Sequence, residues 1–422
     1  MTIDTQTEGT SPVPTTLDTV RERYARGATE QVPELCCPVD YDASLLAALP
    51  AEIIDRDYGC GDPSRFVRKG DVALDLGSGA GKICYMASQI VGAEGRVIGV
   101  DTTDEMLALA REHRTSIGER IGWQNVEFKR GQIQDLALDH DALAVWIAEN
   151  PVTDLVGVEA LEAKKAELRA TQPMIADESI DVVLSNCVLN LVDQDDKPRM
   201  FREIHRVLKR GGRAAISDIV SDEDVPEEMQ RDPELWTGCI SGAMREDRFL
   251  QAFADAGLYG VEIASIQSEP WAVVNGIEFR SMTVLAYKGK EGPCDDYREA
   301  VVYKGPWKTV VDDDGHTLQR GERTAVCRKT FDIYTREPYA EQFVPVPPLL
   351  EVSGEDATSF NCRLDALRTP AETKRGVVRE DVAPGASCCE PEPDGGASCC
   401  EPEPETGTSC CEPPADGGTS CC

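Results

Sequence analysis

Seventeen cysteines among 422 residues are the side chains on which the chemistry of this chain turns. Eight form four vicinal pairs near its carboxyl end (Cys388-Cys389, Cys399-Cys400, Cys410-Cys411 and Cys421-Cys422), each preceded by serine and recurring every eleven residues. The body holds the doublet Cys36-Cys37 and then Cys60, Cys84, Cys187, Cys239, Cys294, Cys327 and Cys362. A chain of this length needs no covalent staples, and its opening residues show no apolar leader, so the thiols are expected to be reduced. Reduced thiols in this number read as ligands for a soft, thiophilic species. The tail pairs, joined by Glu-Pro and Gly-rich linkers, read as accessory binding sites that flexible chain lets converge.

A second chemical signature is Asp75-Leu76-Gly77-Ser78-Gly79-Ala80-Gly81. It ends an apolar run and opens a helical pattern, so its glycines allow a sharp turn while helix N-terminal amides face a ligand. Asp101 closes the next apolar run, where a carboxylate can accept both hydroxyls of a ribose. The loop alone is also compatible with a nicotinamide cofactor. The four histidines, His113, His140, His205 and His316, fall in no catalytic pairing, so the chemistry is expected to need no general base.

These groups require a scaffold, and the hydrophobic pattern describes one. Val72–Leu76, Arg96–Val100, Val126–Lys129, Asp181–Ser185 and Arg213–Ser217 read as buried strands, with helices over Ile83–Val91, Asp104–Ser116, Arg199–Leu208 and Glu246–Ala256. Val261–Ile266 and Ser281–Tyr287 complete the sheet as a closing antiparallel pair. Strands alternating with helices predict a doubly wound α/β sheet. An Ala/Leu/Glu-rich stretch within about 138–178 predicts one inserted helix. The expected organisation is an N-terminal helical segment over 1–65, a cofactor-binding domain over 66–289, a small mixed or β-rich domain over 290–370 and a disordered tail over 371–422. Cys84 reads as packing, and Cys294, Cys327 and Cys362 as structural residues of the small domain.

Composition narrows the partners. A formal charge of −33 argues against a polyanion, so no nucleic acid is expected. No apolar run approaches a membrane span, so a cytoplasmic protein with no membrane partner is expected. Arginine outnumbers lysine and the acidic residues are dispersed, as in proteins of salt-loving microbes.

The glycine loop resembles motif I of class I S-adenosylmethionine-dependent methyltransferases. Gly131-Gln132-Ile133-Gln134-Asp135 stands where that family lines the adenine, and Arg206-Val-Leu-Lys-Arg-Gly-Gly212 precedes its fifth strand. The resemblance implies a seven-stranded Rossmann-like sheet and S-adenosylmethionine as cofactor. It points to Asp75, Gly77, Ser78, Gly79, Gly81, Asp101, Thr102, Met106, Gln132, Ile133 and Asn186 as cofactor-binding residues.

The cysteine contexts are more specific. Tyr58-Gly-Cys-Gly61, Ser185-Asn-Cys-Val-Leu-Asn-Leu191 and Leu235-Trp-Thr-Gly-Cys-Ile-Ser-Gly-Ala243 resemble signatures of arsenite methyltransferases, over about residues 17–370. By that resemblance Cys60, Cys187 and Cys239 bind trivalent arsenic, and Cys36 or Cys37 takes a fourth catalytic position. It further implies arsenite and methylated arsenicals as substrates. An external thiol reductant of thioredoxin or glutathione type is implied as well, since arsenic oxidised by methylation is reduced by the enzyme's thiols. The chemistry agrees: trivalent arsenic is soft and keeps a lone pair when three thiolates hold it. A thiol protein that only sequesters metalloids, and a methyltransferase of a small organic molecule, are the rival readings.

Overall fold

The computed structural model describes residues 16–28, 39–56, 58–232, 235–236 and 238–374. The catalytic candidates Cys36 and Cys37 and all eight tail cysteines lie outside the described residues.

A nine-stranded sheet organises the chain. Its main path runs β3 (Val126–Arg130), β2 (Arg96–Asp101), β1 (Val72–Leu76), β4 (Ile180–Asn186), β5 (Leu208–Ser221), β9 (Ile277–Tyr287) and β7 (Tyr259–Ile266). Two short strands, β6 (Met244–Arg245) and β8 (Ala272–Val274), pair with β5 and β9. The first five strands on the path are parallel, and β9 is antiparallel to both β5 and β7. Parallel pairing requires crossovers, which α2 (Lys82–Val91), α3 (Asp104–Ile121), α6 (Lys197–Val207) and α7 (Glu246–Asp255) supply. Helix α1 (Thr16–Gly27) precedes the sheet.

Helices on both faces explain why β1 is buried on both sides and apolar apart from Asp75, rather than alternating. Ala73 faces one core with Tyr85, Met86 and Val91 of α2. Its neighbours Leu74 and Leu76 face the other, with Met200, Phe201 and Ile204 of α6. Cys84 belongs to the first core and is fully buried; its Sγ donates to Asp75 Oδ2 at 3.2 Å. The expectation that Cys84 packs therefore matches its surroundings.

Two expected elements take different forms. The inserted segment is two helices, α4 (His140–Glu149) and α5 (Leu155–Thr171), rather than one. Pro151 lies between them, and proline disfavours the helical state of the residue before it, here Asn150. Asp154 then caps α5, its Oδ1 accepting from Gly157 N at 2.8 Å. The pair touches the body through a small cluster, Leu138, Leu143 and Leu168, and leaves Leu155 and Val156 more than two-thirds exposed. Strand β5 also extends well past the predicted Arg213–Ser217. It is paired with β9 from Arg213↔Tyr287 to Ser221↔Phe279, so the neighbour rather than local propensity sets its length.

Beyond β9 the chain is β-rich. Strand β11 (Glu299–Tyr303) lies between β14 (Arg323–Val326) and β15 (Phe343–Val346), beside the hairpin β12 (Thr309–Val311) and β13 (Thr317–Gln319). Helix α8 (Arg328–Tyr334) closes this layer, and Tyr334 stacks on Phe343 with ring centroids 4.6 Å apart. A short ladder joins β10 (Asp295–Asp296) to β16 (Thr358–Ser359). No helix among the described residues is long and apolar enough to cross a membrane.

Candidate active site

The glycine loop adopts backbone that side chains resist. Gly77 has φ 70° and Gly79 φ 49°, in the left-handed region that favours glycine. A Cβ on Gly77 would stand 2.4 Å from Val188 Cγ1, so the loop also needs glycine for space. At Gly79 a Cβ would meet nothing within 4 Å. The Asp101 carboxylate steadies the loop: Oδ2 accepts from Gly79 N at 2.9 Å and Oδ1 from Thr103 N at 2.8 Å. Burial raises its pKa, while those amide bonds pull the other way. From α1, Arg21 donates to Thr102 Oγ1 through Nη2 at 2.7 Å and Nε at 3.2 Å, tying the N-terminal helix to the end of β2.

A cavity of about 360 Å³ opens at the carboxyl ends of β1, β2 and β4. Gly77, Gly79, Asp101, Thr102, Met106, Gln132, Ile133, Asn186 and Cys187 line it, as do Val20 and Tyr24 of α1. Three other predicted cofactor residues, Asp75, Ser78 and Gly81, do not. Asp75 and Ser78 are buried beneath the loop, and Gly81 caps α2 with Phe128 against its Cα. None of the four histidines lines the cavity.

The structure brings the three singled-out cysteines together at one end of that cavity. Cys187 follows β4, with its N–H donated to Ser217 O at 2.8 Å. The sulfurs of Cys60 and Cys187 and a carboxylate oxygen of Asp218 lie within 4.8 Å of one another. Cys239 Sγ donates to Cys187 O at 3.2 Å. All three cysteines are buried, and only Cys187 also lines the cavity. Cys187 and Cys239 have φ 63° and 62°, a conformation uncommon outside glycine that costs about 1–2 kcal/mol per residue.

Asparagines hold the segments that carry Cys60 and Cys239. Asn186 Oδ1 accepts from Cys60 N at 2.9 Å and Gly61 N at 3.0 Å, while its Nδ2 donates to Gly61 O at 2.8 Å. Asn190 Nδ2 donates to Ile219 O at 2.6 Å and Cys239 O at 3.2 Å. Ser281 Oγ donates to Cys60 O at 2.6 Å, fixing the loop from β9.

The electrostatics raise the thiol pKa values of Cys60 and Cys187. Burial pushes the Cys60 thiol up, and nearby Asp218 adds to the effect. Cys187 is raised well above a usual thiol because its proton is shared with Cys239 and Cys60 and because it is buried. Tyr24 of α1 is raised by burial and by the thiols of Cys239 and Cys187 beside it. Asp218 is pushed up to about 6 by burial, against the pull of Lys197. Lys197 is pushed down to about 8 by its own burial and donates to Gly242 O.

Asp218, Asn190, Lys197 and Ser281 escaped the sequence reading as members of this site. The signal for Asp218 was available, since a carboxylate continuing the apolar run Ala214–Ser217 is costly unless it has a task. Its oxygens accept from Leu189 N at 2.8 Å and Ile219 N at 2.8 Å, so it shapes the turn that carries Cys187.

The strand order, the glycine turn under β1 and the carboxylate ending β2 together define a class I methyltransferase. In agreement, the methyltransferase domain family matches residues 67–165 and 155–257. The chain is 34% identical over 311 residues to an arsenite methyltransferase of Aquipseudomonas alcaligenes, covering 71% of this chain and 80% of that protein. It is 31% identical over 322 residues to the arsenite methyltransferase of Mus musculus, covering 73% and 75%. A third relative, the Halobacterium salinarum arsenite methyltransferase, is 38% identical over 226 residues, 53% of this chain and 46% of that protein. The chain therefore belongs to the arsenite methyltransferase family. Its fold resembles the crystal structure of an arsenic(III) S-adenosylmethionine methyltransferase from Chlamydomonas reinhardtii, with TM-score 0.50 and 24% identity, over 77% of this chain and 100% of that one. Residues 290–378 match a domain family of unknown function.

Proposed function

We propose that this protein transfers a methyl group from S-adenosylmethionine to trivalent arsenic held by Cys60, Cys187 and Cys239. The observation that carries this reading is the double position of Cys187, at once in the wall of the glycine-loop cavity and in the buried thiol cluster. The cavity suits the cofactor: Gly77 and Gly79 leave backbone exposed, Asp101 and Thr102 offer oxygens for a ribose, and Gln132 and Ile133 offer a wall for adenine. When bound, S-adenosylmethionine supplies an electrophilic methyl on a positively charged sulfur.

Arsenite enters as neutral As(OH)3. Each thiol that bonds to arsenic releases its proton to a departing hydroxyl, as water, so no free thiolate is needed beforehand. Raised thiol pKa values at Cys60 and Cys187 are compatible with that exchange, and they spare the empty site the repulsion of adjacent anions. Three sulfurs leave arsenic pyramidal with its lone pair free, and the buried cluster excludes water around it. The residues contribute chiefly by holding arsenic in reach of the methyl, the kind of orientation that accounts for large rate gains without acid–base groups.

Forming the arsenic–carbon bond raises arsenic from the trivalent to the pentavalent state. Two thiols return the two electrons and become a disulfide, which an external thiol of thioredoxin or glutathione type reopens by exchange. Cys60 with Cys36 or Cys37 is the proposed pair, leaving Cys187 and Cys239 to retain the methylated product. The tail cysteines serve as an accessory thiol reserve, and the outcome for the cell is arsenic detoxification.

Transfer of a labelled methyl group to arsenite tests the reading. Cys187→Ser is expected to lose roughly 100-fold or more in arsenite methylation while still binding S-adenosylmethionine by calorimetry. Undiminished arsenite methylation in that variant would refute arsenic ligation by Cys187, and no methyl transfer to arsenite by the parent enzyme with S-adenosylmethionine bound would refute the reading as a whole.

A further inference from the structure

We infer that Cys294, Cys327 and Cys362 form a second three-thiol site, outside the methyl-transfer cavity, that binds a trivalent thiophilic ion, with arsenic(III) the ion it fits best. The three are 33 and 35 residues apart in sequence, yet their sulfurs lie within 4.8 Å of one another. In sequence they read as structural residues of the small domain, and the proximity of their sulfurs points to a further role.

Three separate segments deliver the thiols. Cys294 immediately precedes β10 and Cys362 follows β16, and the pairing Asp295↔Ser359 draws the two together. Phe360 N donates to Cys294 O at 2.7 Å, tightening the junction. Arg368 lies over the Phe360 ring at 5.3 Å and donates to Asp296 at 2.7 Å, clamping the same ladder from outside. Cys327 follows β14 and caps α8, its sulfur accepting from Thr330 N at 3.4 Å. No side chain from the methyl-transfer cavity takes part, and the site does not rest on the function proposed above.

Packing alone accounts poorly for this arrangement. Cys327 is fully buried against Ala325 and Phe360, whereas Cys294 and Cys362 remain partly open. Cys327 and Cys362 also line a cleft of about 1050 Å³, which gives an ion a path to the sulfurs. The thiols interact with one another: burial and the neighbouring Cys327 and Cys294 push Cys362 up to about 12.

Ligand number and charge select the ion. Among the described residues no fourth cysteine, histidine or carboxylate joins the group. Structural zinc sites use four protein ligands, and zinc with three thiolates would leave a net negative charge against Phe360. Trivalent arsenic with three thiolates is neutral, and its lone pair occupies the fourth position. Binding is a condensation in which As(OH)3 and three thiols give As(SR)3 and three waters, with three sulfur–hydrogen and three arsenic–oxygen bonds broken and no electron transferred.

The test is thiol alkylation of the full-length, reduced protein with iodoacetamide, with and without arsenite, read residue by residue by peptide mass spectrometry. Arsenite is expected to slow alkylation of Cys294, Cys327 and Cys362 together, by roughly tenfold or more. Cys362→Ser should abolish protection of Cys294 and Cys327 while leaving protection of Cys60 and the rate of arsenite methylation unchanged. Cys294→Ser should act likewise on Cys327 and Cys362, a second route if either variant fails to fold. Alkylation of all three at the same rate with and without arsenite would overturn the inference. So would one zinc per chain that is lost on Cys362→Ser and resists arsenite, or a Cys294–Cys362 disulfide in protein prepared under reducing conditions.

Discussion

Asn186→Ala should separate the thiol cluster from the rest of the fold. The side chain makes four hydrogen bonds in a largely buried setting: from Cys60 N at 2.9 Å, from Gly61 N at 3.0 Å, to Gly61 O at 2.8 Å and to Tyr41 Oη at 3.1 Å. Alanine strands the Cys60 amide without a partner, which costs about 1–3 kcal/mol for a buried group. The Gly61 groups and the Tyr41 hydroxyl are less buried and can recruit water, so each loses less, and the whole change should fall near 2–4 kcal/mol. The Cys60 loop, held otherwise by Ser281 Oγ on Cys60 O at 2.6 Å, then samples positions away from Cys187. Urea unfolding should show the stability loss, and arsenite titration should show a weaker site with methylation reduced about 10- to 100-fold. Asn186→Asp keeps the acceptor for both amides but removes the two donated bonds and places a carboxylate beside raised thiols. Its arsenite affinity should fall further than its stability. If Asn186→Ala unfolds within about 0.5 kcal/mol of the parent and methylates arsenite with unchanged KM, then Asn186 does not position Cys60 and the reasoning fails.

Three further outcomes follow from other contacts. Gly77→Ala forces φ 70° on a side chain whose Cβ would stand 2.4 Å from Val188 Cγ1, so calorimetry should show S-adenosylmethionine binding lost and thermal scans a destabilisation of at least about 1–2 kcal/mol. Tyr24→Phe removes the hydroxyl that hydrogen-bonds Cys239; KM for arsenite should shift by a few-fold, as expected for about 0.5–1.5 kcal/mol, with cofactor affinity largely retained. Burial pushes Glu299 up to about 7, although Arg328 opposes the shift. A carboxyl raised on folding stabilises the fold fully below about pH 4.3, its unfolded value, and that stability is lost as pH rises through about 7. Glu299→Gln should therefore gain on the parent between pH 5 and pH 8, by about 1–3 kcal/mol in denaturant unfolding.

The scaffold was legible because its signals are local. Val72–Leu76 running into three glycines requires a strand, a left-handed turn and a helix in that order, and Asp101 closing the next apolar run marks the second strand end. Cys187 was legible for the same reason, since the residue after a buried parallel strand reaches the rim where ligands bind. Local signals misled where a neighbour decides the outcome. Strand β5 is longer than its own residues suggest because β9 pairs along it, and the insertion breaks at Pro151 despite its helix-forming composition.

By itself the sequence determined which residue types were available for soft-ion chemistry and which loop would receive a nucleotide-like cofactor. Only the tertiary structure decided which thiols meet. Cys60 reaches Cys187 because Asn186 and Ser281, from two different strands, grip its backbone. Asp218 joins them because β5 carries it beneath the turn after β4. Cys294, Cys327 and Cys362 converge because a two-residue ladder and the end of β14 place them around one point. The physical reason is range: backbone preference and hydrophobic period act over a few residues, whereas a three-sulfur site depends on where distant segments are brought by strand pairing and core packing.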